Sequence, residues 1–232
     1  MLFTIFLTSF FVRTEPVGLF GLQSIIKDIK KNNPKLVILC NPNNPTGSVL
    51  TKEEVRKIVK STDALIALDE AYMEFGDESL IDEVMDYDNL LIVKTVSKAF
   101  SLAGIRMGYI VANEDIITSI EKVRAPYNLN SLSTYIATEA LRQKERMFDY
   151  VKNIKEEREK IYKALVDLGV KAYKSSANFV FFKSDIDNLQ KKLVDKDVLI
   201  RKFSGKLDGY YRVSVGTKGQ NEKFLEAFKE VI

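Results

Sequence analysis

Four short runs of continuously apolar residues, each followed at once by polar or turn-forming residues, constrain this chain more than any other feature. They are residues 35–40 (KLVILC), 64–69 (ALIALD), 90–95 (LLIVKT) and 107–112 (MGYIVA). Strands that are apolar throughout, rather than at alternate positions, are covered on both faces, and strands of that kind belong to largely parallel sheets. Between the first two runs, Thr51-Lys52-Glu53-Glu54 reads as a capping box that opens a helix reaching about Lys60. The alternation predicts an α/β architecture, a mostly parallel sheet sandwiched by helices. Ligands of such sheets collect beyond the C-terminal ends of the strands.

The second half has a different texture. Residues 131–168 carry a long helical pattern, with a highly charged centre at 152–163 (KNIKEEREKIYK) that reads as a solvated bridging helix, and Gly169 is its expected stop. Short strands follow at 178–183, 198–201 and 210–215, with helices near 186–195 and 219–231. This gives a division into a large α/β domain, residues 1–150, and a smaller C-terminal α+β domain, residues 151–232.

Composition removes whole classes of chemistry. Of 232 residues none is histidine, so a Ser-His-Asp triad, a Cys-His pair and a His-ligated metal are all excluded. Proton transfer falls to Lys, Tyr, Asp or Glu. The net charge of +3, from 35 basic and 32 acidic residues, is spread along the chain and forms no nucleic-acid stripe. The lone Cys40 closes an apolar run, reads as a small buried residue, and fits a reducing, cytoplasmic setting. Residues 1–12 (MLFTIFLTSFFV) are nearly all apolar but too few to span a bilayer, which takes about 20. They are expected to be a buried core piece, and no membrane partner is expected.

The candidate functional residues lie just past the strand ends. Asn41-Pro42-Asn43-Asn44-Pro45-Thr46-Gly47 follows the first run, and Asp69-Glu70-Ala71-Tyr72 closes the second. Thr95-Val96-Ser97-Lys98-Ala99-Phe100 closes the third, with Gly104-Ile105-Arg106-Met107-Gly108 after it. Singly, each has an ordinary reading: Lys98 as a surface loop lysine, Asn44 as a turn residue, and Arg201 and Arg212 as the ends of edge strands. Together they offer an amine, a carboxylate at a buried strand end, a phenol, an amide, and a cation with hydroxyls.

In this order and spacing the strings NPNNPTG, DEAY, SKAF with GIRMGY, and a late RVSVG resemble the fold-type I pyridoxal-phosphate-dependent aminotransferases, above all the histidinol-phosphate aminotransferases, from about residue 17 to the end. The resemblance implies pyridoxal 5'-phosphate as cofactor and Lys98 as its Schiff-base lysine. Asp69 would face the pyridine nitrogen, and Tyr72 and Asn44 the ring oxygen. Thr95, Ser97 and Arg106 would take the cofactor phosphate. Arg212 and Arg201 would bind the substrate's anionic groups, with Asn178 lining the substrate side. It also implies a small phosphorylated amine or amino-acid substrate, 2-oxoglutarate as amino acceptor, and a homodimer. A decarboxylase of a phosphorylated amino acid, needing the same residues, and a non-catalytic fragment of such an enzyme are the alternatives. The family's N-terminal third has no counterpart, including its phosphate loop, its ring-stacking aromatic and a tyrosine that crosses the dimer. Weak cofactor binding and slow turnover are expected on that account.

Overall fold

In the computed structural model, which describes residues 21–232, the four apolar runs form one sheet in the order β1-β2-β3-β4. The strands are β1 (Leu36–Cys40), β2 (Leu65–Asp69), β3 (Leu90–Thr95) and β4 (Gly108–Ala112). The expected core role of residues 1–12 lies outside the described residues. β1, β2 and β3 pair in parallel, and β4 runs antiparallel to β3. The connection, residues 96–107, carries one short turn at Ala103–Ile105 and not the α-helix that usually bridges parallel strands, which fits the reversal.

One face of this sheet is sealed. Val37, Leu39, Ile66, Leu68, Leu90 and Ile92 pack with Ile25 and Ile29 of α1 (Leu22–Asn32) and Val55, Ile58 and Val59 of α2 (Lys52–Val59). Thr51 and Glu54 make the capping box read from sequence. The opposite face is covered only in part by the described residues: Ile38 is 71% exposed and Ile110 39%. After β4 come α3 (Glu114–Glu121) and α4 (Ser131–Arg142).

The expected continuous helix over 131–168 is two helices. α4 ends at Arg142, Gln143 leaves helical geometry, and α5 (Lys144–Asp167) continues to a left-handed Gly169 at φ 76°. Gly169 N–H donates to Val166 and Val170 N–H to Leu165, a Schellman stop. The charged centre of α5 is not a solvated bridge. Met147, Val151, Ile154, Arg158, Ile161 and Leu165 form one buried stripe along it.

A second sheet, in the order β5-β6-β8-β7, packs on that stripe. It contains β5 (Lys171–Tyr173), β6 (Phe179–Lys183), β7 (Arg201–Lys202) and β8 (Tyr210–Ser214), all antiparallel. Pairing at the expected 198–201 strand is confined to Arg201–Lys202; Val198 and Ile200 instead bury their side chains in the core. α6 (Leu189–Val194) and α7 (Lys218–Lys229) complete the chain. The two sheets are not independent. Tyr72, Phe75 and Ala99, from the loops after β2 and β3, sit in the same apolar cluster as Phe179, Val213 and Phe228. α5 itself spans residue 150.

Candidate active site

The site is assembled where the parallel strands end and the second sheet meets them. Asn41 starts the loop after β1. Its buried side chain accepts from Leu50 N–H (2.7 Å) and donates to Leu50 C=O (3.1 Å), closing the loop on itself. Inside it, Thr46 bonds Asn43 and Ser48, and Gly47 adopts φ 75°. A Cβ on Gly47 would lie 2.2 Å from Ser175 Oγ, so only glycine lets the loop reach the second sheet, where Gly47 C=O accepts from Ser176 N–H. The Asn41-Pro42 and Asn44-Pro45 bonds are both cis.

Asn44 is thereby carried to Arg212 of β8, whose Nη1 donates to Asn44 Oδ1 at 2.5 Å. Because arginine only donates, this contact fixes the amide oxygen toward β8 and leaves Nδ2 available for an acceptor. The Arg212 guanidinium lies over the Phe179 ring (4.8 Å to the centroid), and Phe179 meets Tyr72 edge-on at 5.3 Å. Lys98 Nζ sits 5.2 Å from the centre of the buried Tyr72 ring. Lys98, Tyr72, Phe179, Arg212 and Asn44 are thus one continuous line of contacts drawn from both sheets.

Asp69, the last residue of β2, accepts from Ala71 N–H through Oδ1 at 3.0 Å, and its second oxygen has no protein partner among the described residues. Cys40, its register partner on β1, is half-buried, and its Sγ approaches Pro42 C=O at 3.4 Å. Burial, with the Asp69 charge, pushes the Cys40 thiol above its usual value. Thr95 Oγ1 donates to Met107 C=O (3.1 Å) and accepts from Ser97 N–H (3.1 Å), tying the Lys98 loop to the Arg106 loop. Arg106 is exposed, left-handed at φ 56°, and donates to Ala103 C=O. Arg201 stands opposite Arg212 in the β7–β8 register and is exposed. Asn178 contributes through its main chain, its C=O accepting from Val215 N–H.

Lys98, Arg106, Arg201 and Arg212 form no ion pair with a carboxylate among the described residues, although Lys52, Arg56, Lys94 and Lys155 elsewhere do. Uncommitted cations, a free carboxylate oxygen and an amide with a spare N–H suit an aromatic phosphate ligand linked to Lys98 and an anionic substrate beside Arg212. Sequence reasoning missed Asn41, whose signal was only a turn asparagine, and Phe179, whose signal was only a core aromatic.

Residues 17–228 match the family model described as aminotransferase class I and II. A histidinol-phosphate aminotransferase of Thermoanaerobacter sp. strain X514 is 41% identical over 217 residues, covering 92% of this chain and 62% of the relative. The chain therefore spans about 62% of the length of the curated relatives it matches first. Among solved structures, the histidinol-phosphate aminotransferase of Clostridium acetobutylicum superposes with a TM-score of 0.82 at 31% identity, covering 89% of this chain and 67% of that one. The enzyme of the same description from Sinorhizobium meliloti, solved in complex with pyridoxal-5'-phosphate, gives a TM-score of 0.81 at 26% identity, covering 90% of this chain and 60% of that one. No helix among the described residues is long and apolar enough to cross a membrane.

Proposed function

Because this chain belongs to the class I and II aminotransferase family, we propose that it carries the lysine and substrate-anion side of a pyridoxal 5'-phosphate-dependent aminotransferase. Its reaction would convert histidinol phosphate and 2-oxoglutarate to imidazole acetol phosphate and glutamate, a step of histidine biosynthesis in the cytoplasm. The observation that carries this reading is the unbroken contact line from the Lys98 amine through Tyr72 and Phe179 to Arg212 and Asn44. It sets a nucleophilic nitrogen and an anion-binding guanidinium on two sides of one aromatic wall.

Pyridoxal phosphate, when bound, supplies an aldehyde for the Lys98 amine and an electron-accepting ring. The free oxygen of Asp69 would hold the proton on the ring nitrogen. The Tyr72 hydroxyl and Asn44 Nδ2 would donate to the ring oxygen. Ser97 and Arg106 would hold the cofactor phosphate, with Thr95 bracing their two loops through Met107. The Lys98 amine would be the group that takes the proton from the substrate carbon and returns it as a general acid. Arg212 and Arg201, opposed on β8 and β7, bind the substrate phosphate, and Asn178 lines that side. The boundary expected at 150 falls inside α5, so the first sheet and its loops would be the cofactor unit, and α5 with the second sheet the smaller substrate unit. A homodimer is the assembly proposed, supported by the strong exposure of Tyr127, Leu132 and Tyr135.

The test is reductive trapping. The purified chain is mixed with pyridoxal phosphate and borohydride, then peptide-mapped. Label is expected at Lys98 and is lost in Lys98→Ala; label elsewhere, or none, sinks the reading. Product analysis then separates amino-group transfer from carbon dioxide release, which would mark the decarboxylase.

A further inference from the structure

The two strands that deliver Asp69 and Thr95 to the site carry a second charged group on their reverse face. Side chains alternate along a strand, so β2 and β3 turn Asp69 and Thr95 one way and Glu70 and Lys94 the other. Lys94 Nζ lies 3.1 Å from Glu70 Oε2 and 3.0 Å from Glu74 Oε1. Ser79 Oγ donates to the same Glu70 oxygen at 2.6 Å, and Tyr109 of β4 stands opposite Lys94 in register. Glu70 is fully buried, and Lys94 is 7% exposed. Glu70 Oε1 and Glu74 Oε2 are buried without a partner among the described residues. Desolvation works to lower the Lys94 ammonium, but the Glu74 and Glu70 charges overcome it and hold it above the ordinary lysine value. Burial pushes the Glu70 carboxyl up, against the pull of Lys94.

A buried ion cluster is a poor source of stability, because apolar side chains of similar volume fill the space as well or better. What it can do is fix geometry. Main-chain bonds hold the strands as far as Glu70, whose N–H donates to Val93 C=O. Beyond that point the 71–75 turn is bonded mostly within itself, Met73 to Glu70 and Phe75 to Tyr72. Glu74 is the side chain that ties this turn back to β3. We propose that Lys94 is a positioning residue: its ammonium, held by Glu70 beside Asp69 and by Glu74 two residues past Tyr72, locks the strand ends and turn that present Asp69, Tyr72 and Thr95 to the site. What those three residues then hold rests on the proposed function; the clamp itself does not.

Hydrogen exchange on the intact chain without cofactor reads the clamp directly. Lys94→Met leaves two buried carboxylates unpaired, so the companion variant is Glu70→Gln/Glu74→Gln/Lys94→Met, which removes the charges together. In both, amides of the 68–76 segment should exchange faster by on the order of tenfold, with α5 and α7 unaffected. Lys94→Arg should restore the parent rates. The dissociation constant for pyridoxal phosphate, read by absorbance, should rise by on the order of tenfold or more in the charge-free variant, since small displacements of positioning groups are felt strongly. Unchanged exchange over 68–76 in the charge-free variant, or a rise shared evenly by all segments, overturns the clamp. A parent chain that takes no label at Lys98 sinks the functional reading alone, and the exchange result still decides the clamp.

Discussion

The Asn41 side chain spans its loop with two hydrogen bonds to one residue, Leu50, nine positions on. Removing it strands a donor and an acceptor that water does not reach, so Asn41→Ala should destabilise by about 2–4 kcal/mol, measured by urea unfolding. Asn41→Asp keeps the acceptor for Leu50 N–H but sets a buried carboxylate oxygen against Leu50 C=O, and should cost at least as much. Gly47→Ala tests the other end of the loop. Its Cβ would collide with Ser175 at a backbone conformation alanine adopts only with strain, pushing Asn44 away from Arg212. Cofactor affinity should fall more than stability does. At this scale, proximity was readable where residues sit in short strings: Lys98, Tyr72, Asn44 and Arg212 were all picked out from motifs, and the fold brings them into one line of contacts. Asn41 was not, because its partner is set by the loop's closure, and Lys94 was not, because its partners lie on another strand and in a turn.

Among the elements, α2 was legible almost to the residue, since the Thr51–Glu54 capping box is a local interaction. The direction of β4 and the break at Gln143 were not, because an apolar run carries no sign of which way it pairs and a helical pattern continues through one irregular residue. α2 also carries a pH prediction. Arg56 and Lys52 hold Glu83, in the turn at Ile81–Asp86, and the Arg56 hydrogen bonds draw its carboxyl down to about 2. A depressed carboxyl contributes stability above its unfolded value, 4.5, and loses it as pH falls toward 2. Glu83→Gln should therefore flatten the fall in stability between those values. The effect should shrink in high salt because the group is at the surface, and urea midpoints across the acid range measure it.

For the whole molecule the question is whether two sheets unfold as one. Arg158 sits in the middle of the apolar stripe of α5 and donates through Nη1 to Phe75 C=O (3.2 Å) and Ala177 C=O (2.9 Å), one from the loop after β2 and one from the approach to β6. Its Nε is buried without a partner among the described residues, and desolvation lowers its guanidinium from the usual value. Charged residues crowd this stretch of α5, so the sequence pattern read the helix as solvated and hid a cation that joins both halves. Around it, Phe75 is fully buried and meets Tyr150 of α5 edge-on at 6.4 Å. A shared core of this kind couples its parts, so the parent chain should unfold in one transition, the same by far-ultraviolet dichroism and by tyrosine fluorescence. Arg158→Met removes a costly buried charge along with two bridging hydrogen bonds, and these effects offset each other in total stability. Coupling has no such compensation. The variant should unfold with a shallower urea dependence or in two separable steps, and adding Phe75→Ala, itself worth about 3–5 kcal/mol, should widen the separation. A single transition with an unchanged slope in the double variant would mean that the remaining contacts, Tyr72–Phe179, Asn44–Arg212, Gly47–Ser176 and Lys155 on Gly76, suffice to couple the second sheet to the first.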